Sequence, residues 1–205
     1  MKVYRTVFSL LVLILFTYQS GLAQQKEELP IGSEIPFADL KMTAVSGDEL
    51  SLNDVKLENG LLVIFSCNTC PYVKAWESRY LKVAALARSQ KIGIVALNPN
   101  EAMRSDKESL EEMVKISTSM NYTFPYAVDK NHILADAFGA TKTPHVYLFD
   151  KTNKLVFVGS IDDNSAKEAD VKHTFLMDAL KEVGSGKVVS VKHSKALGCS
   201  IKRVK

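Results

Sequence analysis

Leu61-Leu62-Val63-Ile64-Phe65-Ser66-Cys67-Asn68-Thr69-Cys70-Pro71-Tyr72-Val73 is the stretch on which the reading of this chain turns. Residues 61–65 are a continuous apolar run of strand length, the pattern of a strand covered on both faces. Val73, Trp76, Tyr80, Val83, Ala84 and Ala87 then recur at helical spacing, with Lys74, Glu77, Lys82 and Arg88 largely between them. Pro71 suits a first helical turn, where its missing N–H is no loss. Cys67 therefore ends a strand and Cys70 opens a helix. Unpaired N–H groups and the positive end of the helix dipole favour a thiolate there, and the thiolate is the reactive form of cysteine. The offset lets the two sulfurs meet, so that one can resolve a mixed disulfide formed on the other. Zinc sites and structural disulfides also use C-x-x-C. No second C-x-x-C and no paired His completes a zinc site here.

Outward from this stretch the pattern alternates. Residues 37–45 and 49–52 read as two short strands around the turn signal Ser46-Gly47-Asp48. Residues 92–97 are a second buried strand, and Ser105 with Glu108 forms a capping-box pattern before a helix carrying Leu110, Met113 and Ile116. Residues 126–129 read as a short strand and 132–138 as a short helix ended by Gly139. Residues 145–149 and 155–158 read as a hairpin. Ser165 and Glu168 suggest another capping box, before a last helix whose buried face is Phe175, Leu176, Ala179, Leu180 and Val183, stopped by Gly184. Residues 187–205 form a basic tail without a strong period. The order β-β, β-α-β, α, β-β, α predicts an α/β fold with a central mixed sheet flanked by helices.

The N-terminus reads as an export signal. Lys2 and Arg5 precede the apolar residues 8–16, a run too short to span a bilayer as a helix, and Gly21-Leu22-Ala23 has the small residues of a cleavage site. Cleavage near Ala23 is expected to leave residues 24–205 as a single domain of exported or periplasmic location, with no stable membrane insertion afterwards. No Cys follows the apolar run to carry a lipid. Lys2 and Arg5 belong to the 26 basic residues, and the remainder nearly balance the 23 acidic ones, which argues against a nucleic-acid surface. The chain has 3 cysteines, too few for a disulfide scaffold.

Thr143-Pro144 precedes the strand at 145–149, where a proline cannot join the ladder and either a cis bond in a tight turn or an ordinary trans proline fits. Together with Cys67-Asn68-Thr69-Cys70-Pro71-Tyr72-Val73-Lys74, Tyr126-Ala127-Val128-Asp129, Ala137-Phe138-Gly139, Gly159-Ser160-Ile161-Asp162-Asp163 and Gly198-Cys199-Ser200-Ile201-Lys202, it resembles the thioredoxin superfamily in its exported redoxin, peroxiredoxin-like (AhpC/TSA-type) branch. The resemblance implies a thioredoxin-like fold and a thiol–disulfide oxidoreductase. In it Cys67 attacks and Cys70 resolves, a cis Pro144 packs against the pair, and Thr143 offers backbone bonds to the substrate chain. The redox-active disulfide is then the only cofactor, with no metal. The partners are protein or small-molecule thiols and disulfides and an unidentified redox donor.

There are departures from the pattern. Ser66 stands where thioredoxins place a Trp, and no acid on residues 61–65 can take a proton from Cys70. The Pro-x-x-x-Thr/Ser-x-x-Cys approach of peroxidases is missing: Ile64 and Gly60 precede Cys67 at those offsets, and Cys67 and Val63 precede Cys70. A thiol peroxidase is thus the alternative enzyme. A copper(I)-binding module using Cys67, Cys70 and His145 is the alternative outside catalysis. Lys74 either stabilises a thiolate or is simply solvated. His145 either lies near the sulfurs or is a plain strand residue. Cys199, with Lys195, Lys202, Arg203 and Lys205 around it in sequence, either exchanges with the pair or with a partner protein at a lowered pKa, or packs as a small apolar residue. Asp162 and Asp163 are expected in a turn, Trp76 and Tyr72 in packing.

Overall fold

The computed structural model describes residues 27–204. The expected export signal lies outside them.

The N-terminal hairpin is present but short. Strands β1 (Met42–Thr43) and β2 (Glu49–Leu50) pair antiparallel around Gly47. Residues 36–39 form a turn rather than the start of a strand, with Phe37 at φ 50° and 61% exposed. Helix α1 (Leu52–Val55) follows, capped by Ser51, which accepts from the Asp54 N–H while Asp54 accepts from the Ser51 N–H.

Strand β3 (Gly60–Phe65) is buried at every position, as its unbroken apolar run requires. Leu62 and Ile64 face one core, Leu61, Val63 and Phe65 the other. Helix α2 (Pro71–Ser89) buries Val73, Trp76, Tyr80, Val83, Ala84 and Ala87 against the first face. It leads to β4 (Ile92–Asn98), which runs parallel to β3: the Asn59 N–H donates to Lys91 O at 2.9 Å and the Ser66 N–H to Leu97 O at 2.8 Å.

Helix α3 (Leu110–Ser119) starts one turn later than the sequence suggests. Its N-cap is Ser109, not Ser105, and Glu108 turns into the interior instead of capping. β5 (Tyr126–Val128) pairs parallel with β4. Helix α4 (Ile133–Ala137) ends at Gly139, whose φ of 63° supplies the left-handed turn that lets the Ala140 N–H reach Ala135 O.

β6 (Lys142–Thr143) leads through a cis Thr143-Pro144 bond into β7 (His145–Asp150). β7 pairs antiparallel with β3 on one side and with β8 (Leu155–Gly159) on the other. The central mixed sheet of five strands thus runs β5-β4-β3-β7-β8. Helix α5 (Phe175–Gly184) begins at Thr174, not at Ser165, and the left-handed residue after it is Gly186 rather than Gly184. Glu168 lies in a 3-10 turn and pairs with Lys82. α2, α3 and α5 supply the first core, and α1, α4 and the N-terminal segment supply the second.

The tail is not loose. The Val158 N–H donates to Lys192 O, the Ser194 N–H donates back to Val158 O, and β9 (Cys199–Ser200) pairs antiparallel with β6, setting Thr143 opposite Cys199. A period-free segment gives no local sign of such docking, because the partners lie elsewhere in the chain.

Candidate active site

The two cysteines sit where their local sequence puts them. Cys67 follows β3, and Cys70 is the N-cap of α2 with Pro71 as the first helical residue. Both are buried, 3% and 2% exposed. Thr143 bridges them. Its hydroxyl lies 3.2 Å from Cys67 Sγ, and its carbonyl accepts from the Cys70 thiol at 3.0 Å. Cys67, Cys70, Thr143 and the cis Pro144 are therefore brought together as expected.

The intervening loop is held by a residue that local patterning misassigns. Glu108, fully buried, accepts from the Asn68 N–H (2.8 Å), the Thr69 N–H (3.2 Å), the Thr69 hydroxyl (2.6 Å) and the Asn98 amide (2.8 Å). Asn68 donates to Lys107 O and accepts from the Tyr126 hydroxyl. A buried carboxylate is tolerated because several donors satisfy it. The only hint in the sequence is the polar Asn98-Pro99-Asn100 directly after a buried strand, at the carboxyl end where α/β sites gather.

The electrostatics separate the two thiols. The Cys67 thiol donates towards Cys70, and two backbone N–H groups (Val73 and Cys199) and the Cys199 thiol add to it, so that Cys70 is lowered to about 4 despite burial. The Thr143 carbonyl favours the protonated thiol instead, but one acceptor is outweighed by this set of donors. Cys67 is raised, first by the hydrogen bond it gives to Cys70, then by burial and by the Glu108 carboxylate. The two thiols titrate as a coupled pair, with Cys70 the more acidic of the two.

The accessory residues divide. Lys74 is exposed, and its charge acts on Glu77; it is the solvated lysine of the two readings. His145 is 1% exposed; its partners are the Tyr147 hydroxyl at 3.3 Å and the Glu28 carboxylate at 3.0 Å rather than a sulfur. Among the described residues no group of three His, Cys, Asp or Glu side chains is set to hold a metal ion. Cys199 does lie beside the pair, but its pKa is raised: burial and the neighbouring Cys70 outweigh the lowering by Lys202, and Arg203 is paired with Asp136. Lys205 is outside the described residues. Asp162 is more than a turn residue. It accepts from Trp76 Nε1 at 2.7 Å and from the Arg79 guanidinium at 2.6 Å, buried with both, and so ties α2 to the end of β8.

The model of the AhpC/TSA family matches residues 31–158. The chain belongs to that family. A hypothetical protein from Sinorhizobium meliloti is 31% identical, with a TM-score of 0.79 over 87% of this chain and 97% of that one. An uncharacterised conserved protein from Geobacillus kaustophilus is 32% identical, with a TM-score of 0.78 over 85% and 93%. The thiol-disulfide oxidoreductase ResA of Geobacillus thermodenitrificans is 26% identical over 81% of this chain and 92% of its own length. The architecture is thioredoxin-like, and this AhpC/TSA member is a redoxin-type oxidoreductase.

Proposed function

We propose that the protein is an exported thiol–disulfide oxidoreductase that cycles between a Cys67/Cys70 dithiol and a Cys67–Cys70 disulfide. The observation that carries this reading is the convergence of both sulfurs on Thr143, with Cys70 at the helix N-cap. The resemblance has Cys67 attack first; the charge distribution favours Cys70. Its thiolate displaces one thiolate from a disulfide, and Cys67 then attacks Cys70 Sγ to release the second. Glu108 contributes by fixing the loop between the two sulfurs. Substrates are protein or small-molecule disulfides, a separate redox donor or acceptor restores the pair, and no further cofactor is needed. Export rests on Lys2, Arg5, the apolar residues 8–16 and Ala23, and residues 24–205 form the working domain. Among the described residues no helix is long and apolar enough to cross a membrane.

The test is an equilibrium titration in glutathione buffers, with alkylation mapped to each cysteine by mass spectrometry. Joint two-electron loss of the Cys67 and Cys70 thiols is expected, and its midpoint gives the direction in which electrons flow. Absence of a Cys67–Cys70 disulfide at any potential refutes the couple. Rapid oxidation of Cys70 by stoichiometric hydrogen peroxide, without that disulfide, would instead mark a thiol peroxidase. N-terminal sequencing of the protein purified from its native host is expected to begin near Gln24.

A further inference from the structure

We propose that Cys199 is the thiol through which the buried pair exchanges with external disulfides, the strand that carries it acting as a built-in substrate segment. The inference rests on the Cys67/Cys70 couple proposed above.

The resemblance places an extended substrate chain along the backbone of Thr143. In this protein that edge is already taken. β9 runs antiparallel to β6, with Thr143 opposite Cys199 and Lys142 opposite Ser200. Cys199 packs against the core cluster that contains Cys67 and Cys70, and its thiol and N–H act on the Cys70 sulfur to favour the thiolate. The segment is built in on both sides. The Ile201 N–H donates to Thr141 O, the Lys202 N–H to Asn100 Oδ1, and Lys202 O accepts from the Ala102 N–H. Gly198 leaves no room between the tail and the cis-proline loop: a Cβ there would lie 2.3 Å from Thr143 O. Cys67 and Cys70 are nearly sealed, whereas Cys199 is partly exposed. An incoming disulfide therefore meets Cys199 first.

The exchange balances in three steps. Cys199, losing its proton to solvent, attacks one sulfur of the external disulfide, forms a mixed disulfide and releases the first thiolate. The Cys70 thiolate attacks Cys199 Sγ and releases the second, leaving a Cys70–Cys199 disulfide. Cys67 attacks Cys70 Sγ, its proton passing to the departing Cys199 sulfur. One external disulfide has become two thiols, one Cys67–Cys70 disulfide has formed, and Cys199 is a thiol again. Run backwards, the same steps oxidise an external dithiol.

Oxidised glutathione is the probe, and two variants read the relay at different points. In Cys67→Ser the sequence stops one step early, and a Cys70–Cys199 disulfide is expected on a non-reducing peptide map. In Cys199→Ser the Cys67–Cys70 disulfide is expected to form still, but about tenfold or more slowly, since exchange depends on access of the attacking thiolate. A Cys70–glutathione adduct with free Cys199 in Cys67→Ser, or a wild-type rate in Cys199→Ser, overturns the relay while leaving the couple intact. A wild-type chain that ends as Cys70–Cys199 without any Cys67–Cys70 link overturns the couple, and the last step with it.

Discussion

Thr143 holds both sulfurs of the pair from one residue, its hydroxyl against Cys67 at 3.2 Å and its carbonyl against Cys70 at 3.0 Å, and Cys199 faces the same residue across β6 and β9. Strand end, helix cap, cis-proline loop and tail meet at this point, and each of the following expectations perturbs one of them.

Cys70, lowered to about 4, is already ionised across the neutral range. Its alkylation rate in Cys67→Ser/Cys199→Ser is a useful comparison, because both neighbouring thiol donors are then replaced by hydroxyls. In the reduced wild-type protein the rate at Cys70 should stay flat from about pH 6 to 8, whereas an ordinary thiol gains about 80-fold over that span. A rise of that size would mean that Cys70 is not the thiolate. The sign for stability follows. A pKa lowered from an ordinary 9.0 makes the reduced fold more stable with rising pH above about 4, a gain lost as pH falls through about 4. Cys67, raised, works the other way and costs stability as pH rises past its unfolded value.

Removing Asp162 strands a charge. Arg79 and Asp162 are both 6% exposed and bonded at 2.6 Å. Asp162→Ala leaves the guanidinium buried without its partner, which costs about 3–5 kcal/mol. Urea denaturation should show a midpoint shift of that size with the slope unchanged, and a shift below about 1 kcal/mol would mean that the pair is solvated in solution.

Glu108→Ala leaves the Asn68 and Thr69 N–H groups and the Asn98 amide without their acceptor. Each stranded donor costs about 1–3 kcal/mol, so stability should fall by several kcal/mol. Glu108→Gln keeps the shape but removes the charge that raises Cys67. The expected signature is a lower Cys67 pKa by ultraviolet thiolate titration. An unchanged titration curve would show that the carboxylate acts on the loop alone.

Gly198→Val forces a side chain into the space occupied by Thr143 O. Overpacking of this kind costs about 1–3 kcal/mol. Spent on lifting β9, that corresponds to roughly 5- to 150-fold faster alkylation of Cys70. If Cys70 reacts at the wild-type rate, the tail does not shield it.

The signals readable along the chain were local. The continuous apolar run at 61–65, the helical period after Cys70 and the proline at 71 each report on neighbours a few residues away. They placed Cys67 and Cys70 correctly at a strand end and a helix cap. At Thr143-Pro144 the local reading left cis and trans open, and the cis bond that the structure has followed only from the family resemblance. Tertiary structure decided the rest. Glu108 read as a helix cap for Ser105 because both lie in one turn of sequence; its actual donors are 39 or 40 residues away on the cysteine loop and 10 residues away at the end of β4. Arg79 and Asp162, 83 residues apart, carry no mutual sign in either segment. The basic residues near Cys199 suggested a lowered pKa, but burial and the Cys70 sulfur raise it. Periodicity records which face of an element is buried, whereas charge pairing, antiparallel register and desolvation depend on which distant segment lies against that face. The sequence therefore placed the two cysteines, and only the folded chain shows the third thiol set against them.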